Sequence, residues 1–141
     1  MAGGVRRQGR AYALQVLYAL DLNGNGNAEH AVQTYWELFE VDLEPESLNF
    51  ARQLVCGTDA HMSEIDDAIQ SASRNWRLDR MSRVDRNILR LATYELTRAE
   101  DIPIKVAINE AVELAKRYGA DESAAFVNGI LDRVAQEVRK A

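Results

Sequence analysis

A chain of 141 residues is about one domain in size and long enough to bury roughly two-thirds of its unfolded surface without a metal or disulfide staple. Its 47% hydrophobic and 28% charged residues exclude a disordered chain, and no apolar run approaches the ~18 residues that a bilayer span needs. The net charge is −5, but residues 28–67 hold ten acidic side chains against Arg52 alone while the rest holds sixteen basic against twelve acidic, so the total does not exclude a polyanionic partner.

The first helix is expected from about Arg6 to Leu22, with Ala13, Leu14, Leu17 and Leu20 on its buried side. Arg6, Arg7 and Arg10 fall within about 100° of one another at its N-terminal end. The helix dipole is already positive there, so three guanidiniums are a local misfit that points to a role outside folding. Guanidinium binds phosphate bidentately and stacks on unpaired bases, and the chain has fourteen Arg against three Lys. These arginines are not followed by an uncharged apolar segment with a cleavage site, so a cytosolic protein is expected. Next, Asp21-Leu22-Asn23-Gly24-Asn25-Gly26-Asn27 imitates the opening of a calcium loop, but Val32 stands where the twelfth-position Glu belongs, and a turn is the reading. A second helix from about Ala28 to Phe39 places Val32, Tyr35, Trp36 and Phe39 at core spacing.

Pro45 and Glu46 open a long helical region reaching toward Ser73, with a break or kink expected at Gly57-Thr58. Cys56 is the one cysteine, which rules out an internal disulfide, and its flanks Leu54 and Val55 suggest a small buried hydrophobe. His30 and His61 lack ligand-spaced partners, so no metal site and no cofactor are expected. The charge then reverses. Arg74, Arg77, Arg80, Arg83, Arg86 and Arg90 stand against Asp79 and Asp85, with Trp76 and Leu78 expected to anchor the turn. Ser82 and Asp85 form an S-x-x-D cap for a fifth helix, whose Arg83, Arg86 and Arg90 are expected on one wet basic face opposite Val84, Ile88, Leu89, Ala92 and Leu96.

Two amphipathic helices close the chain. Pro103 suits a first turn, and Ile104, Ala107, Ile108, Ala111, Leu114, Ala115 and Tyr118 share a face. Lys116 and Arg117 occupy the last turn, and Gly119 is expected to end the helix in the left-handed conformation. Asp121 is the expected N-cap of the final helix, whose stripe is Val127, Ile130, Leu131, Val134 and Val138, with Phe126 on its flank beside Glu122, Gly129 and Arg133.

No phosphate-binding Gly loop, HExxH, paired cysteines or nucleophile elbow occurs, and Glu110 and Glu113 on a regular helix face suit salt bridges better than acid–base work. The residues alone therefore give a single all-helical domain over 1–141 with an arginine-rich patch, a non-enzymatic RNA or protein adaptor.

Three blocks carry a resemblance. Ile102-Pro103-Ile104-Lys105-Val106-Ala107-Ile108-Asn109-Glu110-Ala111-Val112-Glu113-Leu114-Ala115-Lys116 precedes Phe126-Val127-Asn128-Gly129-Ile130-Leu131-Asp132; Arg6-Arg7-Gln8-Gly9-Arg10 leads into Ala13-Leu14-Gln15-Val16-Leu17-Tyr18; and Arg90-Leu91-Ala92-Thr93-Tyr94-Glu95-Leu96 lies between them. The chain thus resembles the NusB family of transcription antitermination factors over its whole length. The resemblance implies an all-α fold of about seven helices in two packed three-helix bundles. It also implies binding of boxA-type single-stranded RNA and pairing with the small ribosomal-subunit protein NusE. The complex so formed makes RNA polymerase resistant to termination, chiefly on ribosomal RNA operons. By that resemblance Arg6, Arg7, Arg10, Lys116, Glu122 and Phe126 face RNA, with Gln8 where some relatives carry a further arginine, and Tyr18 and Asp85 face the protein partner. Alternatives are a protein–protein adaptor and a homodimer that masks the RNA surface. The version fused to an RNA cytosine methyltransferase is disfavoured, because 141 residues leave no room for a catalytic domain.

Overall fold

The computed structural model describes residues 2–24, 26–38, 42–99 and 101–139, so Asn25, Phe39 and Lys140 lie outside the described residues. Among these residues run seven α-helices: α1 (Ala2–Leu22), α2 (Ala28–Leu38), α3 (Pro45–Ala60), α4 (Met62–Ala72), α5 (Arg83–Arg98), α6 (Ile104–Tyr118) and α7 (Ser123–Val138), with a 3-10 turn at Leu78–Arg80. The break between α3 and α4 falls at His61, beyond the expected Gly57-Thr58, which stays inside α3. That break also divides the chain into two compact units, Met1–Ala60 and His61–Ala141.

In the first unit α1 lies along α3, and α2 packs on both. Ala13, Leu14, Val16 and Leu17 of α1 are buried with Leu48, Ala51, Leu54 and Val55 of α3 and Val32 of α2. Tyr12 is buried too, donating its hydroxyl to the Val32 carbonyl at 2.8 Å, and burial pushes its pKa up to about 12 against a small lowering by Arg52. The approach of α1 to α3 depends on Gly9, where a Cβ would meet Phe50 Cδ2 and the Ser47 carbonyl oxygen at 2.9 Å each. Ser47 Oγ reinforces the contact by donating to the Val5 carbonyl at 2.9 Å. Gly24, at φ 75°, supplies the left-handed residue just past the end of α1. The Asn27 side chain opens α2 by accepting from the His30 N–H at 2.8 Å.

In the second unit α5 is the central helix, packed on α4, α6 and α7. Its residues Ile88, Leu89, Leu91, Ala92 and Leu96 are each at most 2% exposed, and Ile65, Ile69, Ala107, Ala111, Ala115, Val127, Leu131 and Val134 close the core around them. The expected cap is present, with Ser82 Oγ accepting from the Asp85 N–H at 3.1 Å. Pro103 is the N-cap residue of α6, one position before the expected first turn. Two local expectations are corrected. Gly119 has φ −93° and ψ −173°, an extended conformation open to any residue. Glycine is required there for space, because a Cβ would lie 2.6 Å from both Cβ and Oγ of Ser123. Asp121 is not the cap of α7: Glu122 holds that position without a side-chain bond, while the Ser123 hydroxyl turns back to accept from the Ala120 N–H at 2.9 Å. Asp121 is left exposed inside the turn.

The far end of α5 is closed by a residue from past the end of α7. The Arg139 guanidinium donates to the carbonyls of Leu96 (2.6 Å), Ile102 (2.8 Å), Glu95 (3.0 Å) and Ala99 (3.0 Å). The Glu95 and Ala99 carbonyls also accept from the Ala99 and Ile102 N–H groups, and a planar cation with five in-plane donors suits the second lone pairs and partial negative charge of carbonyls at a helix C-terminus.

Candidate nucleic-acid interface

In the first unit the helical spacing of Arg6 and Arg10 sets both guanidiniums against one ring, each 5.3 Å from the Phe50 centroid. Phe50 is half-buried on α3, and the approach that Gly9 permits brings it there. Helix α1 starts at Ala2, four residues before the expected Arg6, so both arginines lie beyond its first turn, where the expected dipole misfit does not arise, and the ring's negative faces stabilise the two cations. Arg6 and Arg7 are exposed, but Arg10 is only 3% exposed. The structure thus brings Arg6 and Arg10 together as the sequence suggests, yet presents only Arg6 and Arg7 at the surface. Farther along α1, Tyr18 and Leu22 are 38% and 52% exposed and sit one turn apart.

Between α2 and α3, Glu29 Oε1 pairs with Arg52 Nε at 2.7 Å while Glu29 Oε2 accepts from Cys56 Sγ at 3.3 Å. Cys56 is therefore half-buried beside a carboxylate and not a simple core hydrophobe. Burial first, then the Glu29 hydrogen bond and charge, push its thiol up to about 11.

In the second unit Glu122 is exposed at the start of α7, and half-buried Phe126 follows one turn later. Phe126 meets Trp76 edge to face, with centroids 5.9 Å apart and planes at 88°. Trp76 was expected to anchor its turn, but its side chain is 61% exposed. Gln70 holds the turn instead: its amide donates to the carbonyls of Ser73 (3.1 Å) and Trp76 (2.9 Å) and accepts from the Leu78 N–H (2.9 Å). Lys116 is exposed and lies 3.5 Å from Glu113.

The wet basic face expected on α5 is not there. Arg83 is exposed, but Arg86 donates to the carbonyls of Leu78 (3.3 Å) and Met81 (3.5 Å), and Arg90 makes a two-pronged pair with Asp66 at 2.8 and 3.0 Å. Side-chain exposures of 12% for Arg90 and 26% for Asp66 make this an internal clamp between α4 and α5. Asp85 is half-buried, with its N–H engaged by Ser82 and its Oδ1 buried without a hydrogen-bond partner among the described residues.

Two rings of the site, Phe50 and Trp76, are not among the site residues expected from the sequence, where Trp76 reads only as an anchor of its turn. Phe50 carries no local signal, since its partners lie some forty residues earlier, whereas the basic neighbours Arg74 and Arg77 do distinguish Trp76.

The NusB family model matches residues 7–136. The chain belongs to the NusB family. It is 52% identical over 139 residues to the transcription antitermination protein NusB of Myxococcus xanthus, covering 97% of this chain and 99% of that one. The fold of this NusB-family chain matches that of T. maritima NusB with a TM-score of 0.84 at 41% identity, covering 94% and 91% of the two chains. It also matches a chain in the crystal structure of antitermination factors NusB and NusE in complex with double-stranded RNA, with a TM-score of 0.84 at 28% identity over 94% and 97% of the two chains. Among the described residues no helix is long and apolar enough to cross a membrane.

Proposed function

We propose that this chain is a cytoplasmic, non-enzymatic transcription antitermination factor. As one domain over residues 1–141 it binds boxA-type single-stranded RNA together with a NusE-type ribosomal protein, within the RNA polymerase antitermination complex. The observation that carries the reading is the near full-length 52% identity to an antitermination NusB. The RNA- and NusE-bound relative of the same fold supports the choice of partners.

The residue roles follow from chemistry. Arg6 and Arg7 bind phosphates from the surface, and Arg10 acts from behind by holding Phe50 and adding to the local field. Phe126 offers a ring to an unpaired base, Glu122 an acceptor to a base amino group or 2′-hydroxyl, and Lys116 a diffuse positive charge. Tyr18 lies one turn from an exposed leucine, which favours a protein partner over RNA, and half-buried Asp85 keeps part of its side chain at the surface for the same partner.

Fluorescence anisotropy with a labelled boxA-type strand, a scrambled strand and the corresponding duplex, with and without NusE and at two salt concentrations, tests the reading. Sequence-dependent binding of the single strand, tightened by NusE, is expected. Arg7→Ala is expected to flatten the salt dependence by about one phosphate contact, and Phe126→Ala to weaken binding at an unchanged slope. Absence of RNA binding in every condition overturns the reading in favour of the adaptor or the masked homodimer, which light scattering then separates.

A further inference from the structure

We propose that the Trp76 ring, braced edge to face by Phe126, is a platform on which an unpaired RNA base stacks, and that the polar groove beside the same turn takes the adjoining nucleotide. The proposal rests on the RNA-binding reading above and adds a residue and a subsite to it.

Trp76 is a large aromatic left in water, at 61% exposure, by a segment that is otherwise firmly built. Its carbonyl accepts from both Gln70 Nε2 (2.9 Å) and Ser73 Oγ (3.2 Å), and its N–H donates to the Ser73 carbonyl (3.3 Å). Its ring is braced by the perpendicular Phe126. A mobile loop would bury an indole for the hydrophobic gain, about 25 cal/mol per Å² of apolar surface. This turn instead fixes the backbone and holds the ring outward, so the ring is preorganised for a ligand with a flat apolar face. Stacking on a ring already held in place loses little entropy on binding.

The neighbours define the ligand. Phe126 and Arg133 lie seven residues apart along one flank of α7, and the turn crosses that flank, with Arg133 Nη1 donating to the Ala72 carbonyl at 3.2 Å. Beside it a groove of about 500 Å³ is lined by Arg74, Asn75, Arg133, Gln136 and Glu137. Gly129 lies on the same flank, and a Cβ there would meet nothing within 4 Å, so the backbone stands open between the ring pair and Arg133. Here the surroundings are guanidinium, amide and carboxylate groups, which suit phosphate, base edges and 2′-hydroxyls.

The chain has two tryptophans, and Trp36 Nε1 is buried without a hydrogen-bond partner among the described residues, so Trp36→Phe removes no hydrogen bond among them and leaves Trp76 as the sole indole. In that variant, boxA-type single-stranded RNA is expected to quench tryptophan fluorescence saturably, with a midpoint equal to the anisotropy Kd. In the native background Trp76→Ala is expected to weaken binding by about 5- to 100-fold with the salt slope unchanged, and Trp76→Phe to recover most of it. Melting temperatures for both variants are measured alongside, and Trp76→Phe decides the case where the alanine variant is less stable. Absence of quenching at saturating RNA, or Trp76→Ala binding within twofold of native, overturns the platform. If Arg7→Ala still weakens binding in that case, the RNA reading stands without it, whereas failure of the native chain to bind removes both.

Discussion

Asp66 and Arg90 are expected to be coupled by about 1.5–2.5 kcal/mol, well above a surface ion pair. Exposed pairs contribute ~0–1 kcal/mol, because solvent screens them and two long side chains must be ordered. Breaking a fully buried pair leaves an uncompensated charge at a cost of ~3–5 kcal/mol. With side chains 12% and 26% exposed and both Arg90 Nε and Nη2 engaged, this pair stands between those limits. Arg90 also donates to Asn87 Oδ1 at 3.4 Å, so a single substitution overstates the Asp66 interaction. The measurement is therefore a double-mutant cycle of Asp66→Ala, Arg90→Ala and the pair, by urea unfolding at pH 7. Partly buried charges are little screened, so the coupling is expected to persist in 1 M salt. A coupling energy below about 0.5 kcal/mol, or its disappearance in salt, refutes the internal-clamp reasoning and returns these residues to an ordinary wet face.

Arg139→Ala removes a guanidinium shared by four carbonyls and is expected to destabilise the protein by about 2–4 kcal/mol, lowering Tm by roughly 6–12 °C in calorimetry, with Arg139→Lys intermediate. An alanine variant melting within 2 °C of native contradicts the capping role. The Cys56 thiol, raised to about 11 from an ordinary 9.0, favours its protonated form in the folded chain, so its contribution to stability is fully present below pH 9 and lost as pH rises through 11. Iodoacetamide labelling at pH 9 is accordingly expected to run about fifty-fold slower in the native chain than in urea, and Glu29→Gln to speed it. Equal native and unfolded rates would contradict the burial and the Glu29 contact.

What was legible in the sequence was mostly local. The Ser82 cap works through a residue three positions on, and the apolar stripes of α5, α6 and α7 follow from helical period, so the cap and most of each stripe appear where expected, while Val138 at the end of α7 is exposed and Val84, Ile104 and Tyr118 are half-buried. The misplaced features depend on partners far away in the chain. Arg90 reads as solvent-facing until Asp66, 24 residues earlier, is set beside it, and Arg10 reads as a phosphate ligand until Phe50 covers it. Gly119 shows a further ambiguity. A glycine after a basic last turn signals a helix end either by a left-handed backbone or by lack of space for a Cβ, and only the position of Ser123 distinguishes them. The left-handed residue is found at Gly24, in the segment that imitates a calcium loop.

The reach of Arg139 also has a consequence for biosynthesis. The carbonyls that it covers precede it by 37 to 44 residues, and α6 and α7 both lie in between. A helix turn forms in under a microsecond, whereas ribosomes add about 5–20 residues per second. Some 2–8 s of synthesis therefore separate the making of α5 from the making of the arginine that covers its C-terminal carbonyls. Until then the C-terminal turn of α5 lacks the cation that ties it to the end of the chain.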